Sequence, residues 1–286
     1  MDRQLFAAIA LAVACIPITD SVSAADEDAD VSVFDQQNLV AWCIVPFDAQ
    51  QRGPAERAEM LKRLGLERVA YDWRSQHVPT FEQEILEYKK HGLEYFAFWG
   101  WHERMAELIG EHDIRPQIWQ TLGGGTGQTQ AQKIESAARA MLPLVEKTRK
   151  IGCRLGLYNH GGWGGEPENM VAVVQWLQEH GDADHVGIVY NLHHGHGHIA
   201  DFAKVLELMK PHLLCLNLNG MNDHAKPKIL PVGAGQHDRA ILEIIAKSGY
   251  SGPIGILDHR MELDAEESLS QNLEGLRELV AELDAP

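Results

Sequence analysis

Four histidines fall within six residues of one another in this chain: His193, His194, His196 and His198. An imidazole titrates near neutrality, so it can take up or release a proton at physiological pH, and unprotonated it binds transition metals. Two more histidines stand in similar polar stretches, Tyr158-Asn159-His160-Gly161 and Asp258-His259-Arg260. His160 and His194 form the preferred pair for proton transfer, with Asp258 or Asp72 orienting an imidazole. His196 and His198 read as the start of a helix. Asn159, Asn191, Asn217 and Asn219 offer neutral donors and acceptors of the kind that recognise hydroxyl groups. Trp99 and Trp101 could stack on the apolar face of a sugar ring, with Trp119 and Trp163 as further aromatic surface. Filling the interior of the fold is the plainer reading of these four indoles. With Asp72, Tyr158, His193 and His259 as further binding groups, the constellation suits a small carbohydrate. A metal is a second reading of the same residues: His160, His193, His194 and Asp258 could hold Zn, Mn or Co.

These groups share a position along the chain, since each closes a short apolar run. Eight such runs, at 39–46, 68–72, 93–99, 115–121, 154–159, 186–191, 213–219 and 253–258, alternate with stretches of helical periodicity. Ile199, Phe202, Leu206 and Met209 show the helical spacing, as do Leu269, Leu273, Leu276 and Val280, and Asp264 with Glu267 reads as a capping box. Repeated strand–helix units make an α/β fold, either an open doubly wound sheet or a closed barrel. Eight units ending in a strand and a covering helix favour a single-domain (β/α)8 TIM barrel over residues 39–286. In such a barrel the loops after the strands build the functional mouth. The glycines at 123–125 lack a Walker lysine and GxGxxG spacing, and read as a lid or turn.

The first 24 residues read as a signal peptide. Arg3 is the basic start, Leu5 to Ile16 the apolar run, and Val22-Ser23-Ala24 the small residues for cleavage. The run is too short to span a bilayer. Cys15 makes a lipoprotein signal the lesser alternative. Residues 25–38 read as an acidic leader, and the product as periplasmic or secreted. Cys43, Cys153 and Cys215 lie in apolar surroundings and read as buried hydrophobes rather than a disulfide framework. A formal net charge of −16 opposes nucleic acid or an anionic membrane as partner. Lys226 and Lys228, after the seventh strand, could contact an acidic group, although no arginine–lysine phosphate cradle is visible.

Three stretches carry a resemblance. Leu155-Gly-Leu-Tyr-Asn-His-Gly-Gly162 is similar to a strand-five segment, Asn191-Leu-His-His194 to an Asp-x-x-His motif, and Pro231-Val-Gly-Ala-Gly-Gln-His-Asp238 to a Gly-x-Gly-x-x-Asp segment, all of the xylose isomerase-like barrel superfamily. That superfamily includes sugar isomerases, epimerases and an apurinic-site endonuclease branch, and the likeness runs from Leu39 to Leu283. It implies a divalent metal held by a glutamate, an aspartate, a histidine and a second glutamate. Here those positions carry Tyr158, Asn191, Asn217 and Asp258, so three of the four have lost ligand chemistry. His194 matches the substrate-side histidine. The resemblance implies an isomerase, epimerase or keto-sugar lyase; with the ligands replaced by polar groups, the expected chemistry is proton transfer by His160 and His194 in the cell envelope, with Asn159, Asn191 and Asn217 stabilising an enediolate in place of the metal. The alternative is a carbohydrate-binding barrel that lost catalysis along with the metal.

Overall fold

The computed structural model describes residues 29–285; the signal-peptide segment lies outside them. Eight parallel strands close into one barrel in chain order. They are β1 Leu39–Trp42, β2 Arg68–Tyr71, β3 Glu94–Trp99, β4 Gln117–Thr121, β5 Leu155–Tyr158, β6 Val186–Asn191, β7 Leu213–Leu218 and β8 Ile254–Leu257. The ring closes where Leu39 to Trp42 pair with Ile254 to Leu257. The covering helices are α1 Pro54–Leu64, α2 Phe81–His91, α3 Glu103–Glu111, α4 Gln130–Lys150, α5 Pro167–His180, α6 Phe202–Met209, α7 Asp238–Lys247 and α8 Ala265–Leu283. The closed barrel is the expected one, and an open sheet is excluded by the β1–β8 pairing.

Alternation along the strands builds two apolar layers. Leu39, Ala41, Leu155, Leu157, Ile254 and Ile256 face the helices. Val40, Trp42, Ala70, Trp119, Tyr158, Val189 and Cys215 fill the barrel interior. Gly156 belongs to that interior by parity. A methyl group there would lie 2.5 Å from Val189 Cγ2 and 2.9 Å from Trp119 Cδ1, so the missing side chain is what admits the indole. Trp119 is fully buried and donates its ring N–H to Gln117 Oε1 (2.8 Å), beneath the mouth.

Strand limits follow backbone chemistry. β1 stops at Trp42 because Cys43 takes a left-handed φ of 59° that breaks the ladder. β4 and β8 begin only after Pro116 and Pro253, which have no N–H to donate. Asp264 caps α8 through the Glu266 N–H (2.8 Å); Glu267 accepts from Gln271 instead of completing a capping box. Before β1, Val31–Phe34 and Gln36–Asn38 form 3-10 turns, and Val33 and Phe34 are buried against the core. Cys43, Cys153 and Cys215 are buried and unpaired. No helix among the described residues is long and apolar enough to cross a membrane.

Candidate active site

The mouth of the barrel holds a cavity of about 230 Å³. Its floor is aromatic: the Trp42 and Trp99 rings lie 5.6 Å apart, and Trp99 meets Tyr158 edge-on at 4.7 Å. Phe47, Cys43 and Leu257 complete the apolar wall.

One side of the cavity is a row of imidazoles. His160, after β5, lies 4.4 Å from His194, after β6; His194 lies 4.6 Å from His193, and His193 4.9 Å from His259, after β8. Burial holds His193 and His194 down to about 3, helped by the neighbouring imidazoles and Lys228. Both rings are therefore unprotonated at neutral pH. His259 is lowered by burial as well. The Nδ1 atoms of His193 and His259 are buried without a partner among the described residues, leaving hydrogen-bonding capacity for a ligand.

Asn191 ties this row to the floor. Its Oδ1 accepts from the His193 backbone N–H (3.0 Å), so its Nδ2 must face Tyr158 Oη, to which it donates at 2.5 Å. Tyr158 accepts that bond and keeps its own O–H proton to give away. Burial raises the Tyr158 hydroxyl well above its usual range, so it remains a neutral donor.

Across the barrel, four strands from β6, stands Asp72 at the end of β2. It is buried, its Oδ1 accepts only the Val45 N–H (3.3 Å), and its Oδ2 has no partner. Burial raises its carboxyl from 3.8 to about 7, against the opposing pull of Arg74. A carboxyl at this value shuttles a proton at neutral pH.

The structure thus gathers Asp72, Trp99, Tyr158, Asn191, His160, His193, His194 and His259 around one cavity. It places five other sequence candidates elsewhere. Asp258 shares the outward face of Ile254 and Ile256; its Oδ1 accepts from Ser268 Oγ of α8 (2.5 Å) and the Arg260 N–H, and burial raises it to about 7. Asn159, outward like Leu155 and Leu157, bonds the Asn191 backbone at both N–H (2.7 Å) and C=O (3.1 Å). Asn217 is fully buried beside Cys215 Sγ (3.4 Å), below the cavity. Asn219 donates to the Gly220 and Lys228 carbonyls, pinning the loop after β7. Trp101 donates to Glu103 on the outer rim.

Sequence reasoning passed over Trp42, Cys43, Phe47 and Arg74. Reading strand one through residue 46 hid Trp42 and Cys43, because the true strand end is set by the Cys43 backbone, and Phe47 in the loop beyond carried no signal of its own. Arg74 carried a legible signal, two residues after Asp72.

The xylose isomerase-like TIM barrel family model matches residues 44–279, most of the chain. The chain belongs to that family. No curated protein matches the sequence. Among solved structures, 3-keto-D-glucoside 4-epimerase from E. coli aligns with a TM-score of 0.63 at 15% identity, over 86% of this chain and 99% of that one. A zinc-bound IolI protein aligns with a TM-score of 0.66 at 12% identity, over 87% and 100%. A probable 3-DHS dehydratase from Bacillus anthracis gives 0.65 at 14% identity, over 83% and 98%. At these identities the likeness is one of fold.

The family's divalent ion does not suit this barrel. Of the four corresponding residues, Tyr158 is a neutral phenol, Asn191 and Asn217 are amides whose oxygens already accept bonds from neighbours, and Asp258 faces α8. Nothing in that set supplies convergent anionic oxygen. The alternative set is divided: His160, His193 and His194 line the cavity while Asp258 is on the other face. Among the described residues, the His/Cys/Asp/Glu group whose ligand atoms all lie within 4.8 Å of one another is Glu82, Glu111 and His112, at the surface between α2 and α3. Arg104 already pairs with both of those glutamates.

Proposed function

We propose that the chain is a sugar isomerase or epimerase, or a keto-sugar lyase, that moves protons on a small carbohydrate in the cell envelope without the family's metal. The observation that carries this reading is the pairing, across one aromatic-floored cavity, of unprotonated imidazoles with a carboxyl near neutrality. An unprotonated His194, with His160 beside it, takes the proton from the carbon next to a carbonyl. The electron pair moves onto the carbonyl oxygen, where the Tyr158 O–H stabilises the charge. Asp72, protonated, returns a proton to the neighbouring carbon or oxygen for isomerisation, to the opposite face of the same carbon for epimerisation, or to a departing hydroxyl for elimination. Trp42 and Trp99 offer the apolar surface on which a pyranose ring stacks. The sugar epimerases among the structural neighbours support the substrate class. The basic, apolar and small-residue pattern of residues 1–24 supports export.

The loss of three family ligand positions favours one second reading, a binding barrel without catalysis. Both are tested by incubating aldoses, ketoses and 3-keto-glycosides with the protein in D₂O and following C–H signals by NMR. Deuterium incorporation or product formation, abolished in His194→Ala and Asp72→Asn, is the expected result. Saturable binding with no exchange on any bound sugar would move the assignment to the binding barrel.

A further inference from the structure

Two indoles are fully buried among the described residues, Trp42 and Trp119. Trp119 donates its ring N–H to Gln117, and the half-buried Trp73 and Trp163 also have protein acceptors, the Trp99 carbonyl (2.7 Å) and Gln130 Oε1 (3.1 Å). Trp42 Nε1 has no acceptor among the described residues. A buried donor in that state is unfavourable, and calls for a partner from outside the chain. The Trp42 ring is not free to turn toward one inside it. It stands at the end of β1, where its carbonyl accepts the Asp258 N–H (2.9 Å). Trp99 at 5.6 Å, Trp119 at 4.9 Å and Tyr158 at 6.1 Å wedge it from three sides.

The same ring lines the mouth cavity beside Tyr158. Burial raises the Tyr158 hydroxyl, while the Asn191 amide and the Trp42 N–H pull against that rise, which puts the N–H on the Tyr158 side of the indole. Tyr158 Oη already accepts from Asn191 Nδ2 and keeps its own proton to donate. An indole N–H and a phenol O–H, both unspent, therefore share one corner of the cavity. His194 packs edge-on against the same phenol at 6.0 Å. Two converging donors suit an oxygen that only accepts, such as a carbonyl gaining enolate charge.

We propose that Trp42 is a catalytic residue: its indole N–H and the Tyr158 O–H together hold the carbonyl oxygen of the sugar and stabilise its charge as His194 removes the neighbouring proton. This rests on the proton-transfer reading above and narrows the substrate to a sugar presenting a carbonyl oxygen at that corner. The indole keeps its proton throughout. The C–H bond breaks with its proton going to His194, and the electron pair moves through the carbon–carbon bond onto oxygen. The pair flows back when Asp72 delivers a proton to carbon, and water carries the proton from His194 back to Asp72 between turnovers.

The test uses the sugar, among aldoses, ketoses and 3-keto-glycosides, that exchanges deuterium fastest with the native protein. Replacing Trp42 by β-(3-benzothienyl)alanine puts sulfur where the N–H was and keeps the ring, and Trp42→Phe removes the donor by ordinary mutation. Exchange should slow about 10²-fold in both, with the sugar concentration for half-saturation changed less than about threefold. In native protein labelled with ¹⁵N-tryptophan, the Trp42 indole N–H signal, assigned by its loss in Trp42→Phe, should move downfield on adding that sugar while the Trp119 signal stays in place. A benzothienyl protein that exchanges at the native rate, or a Trp42 signal unmoved by a sugar that exchanges, would overturn the proposal and leave the proton-transfer reading standing. No exchange on any sugar with the native protein would overturn both.

Discussion

Replacing Asp72 by Asn should abolish activity and, above neutral pH, make the protein more stable. The carboxyl is 2% exposed, and burial raises it from 3.8 to about 7. A raised acid binds more protons in the folded chain than in the unfolded chain between those values, so the stability it contributes falls as pH climbs from about 4 to 7. At about 1.4 kcal/mol per pH unit, the loss attributable to this group between pH 5 and pH 8.5 accrues over the two units up to pH 7, or about 3 kcal/mol. The amide cannot ionise, so the variant lacks this component. Its Oδ1 can keep the Val45 N–H bond, while its NH₂ replaces an oxygen that already lacks a partner. That new unsatisfied donor costs about 1–3 kcal/mol at every pH. At pH 5 the raised carboxyl has already taken about 1.6 kcal/mol from the native chain, so the variant should lie within about 1.5 kcal/mol of it, and at pH 8.5 it should have gained about a further 3 kcal/mol and be the more stable protein. Asp258 is raised in the same direction but is unchanged in both proteins, so it cancels. Urea unfolding of both proteins at the two pH values measures this double difference. Parallel stability profiles from pH 5 to 8.5 would refute the assignment of Asp72 as a destabilised, proton-carrying carboxyl.

Other outcomes follow from the same geometry. Tyr158→Phe removes the donor to the developing oxyanion and should lower kcat about 10²- to 10³-fold with little change in ligand affinity, as steady-state kinetics would show. With Asp72 as the acid, kcat should fall as pH rises through about 7, and no acidic limb from His194 is expected above about pH 4, since that ring is held down to about 3. Dialysis against a chelator should leave turnover unchanged, measured beside elemental analysis, because the family ligand positions hold a phenol and two amides. Gly156→Ala drives a methyl group into Val189 and Trp119 and should cost about 1–3 kcal/mol in urea unfolding.

Much of the fold could be read from the sequence because each βα unit writes its own local signal. Short apolar runs, helical spacing and polar strand ends repeat eight times, and right-handed βαβ connection leaves few ways to assemble them. The residue types at the mouth were legible for the same reason, and His160, His193, His194, His259, Asp72 and Tyr158 all converge there.

Which side of each strand end faces the mouth was decided only by the tertiary structure. In a parallel barrel both faces of every strand are apolar, so the sequence does not mark the inward parity. Asp258 and Asn159 look as well placed as Asp72 and Asn191 along the chain, yet share a face with Ile256 and Leu157 and point to the helices. Protonation is likewise tertiary. Asp72 near 7 and His194 near 3 follow from the water excluded around them and the charges brought close by distant segments. The sequence by itself determined eight strand–helix units with imidazoles, carboxyls and amides at the strand ends, and favoured their closure into a barrel. Folding determined which of those groups meet, and burial determined which of them hold a proton.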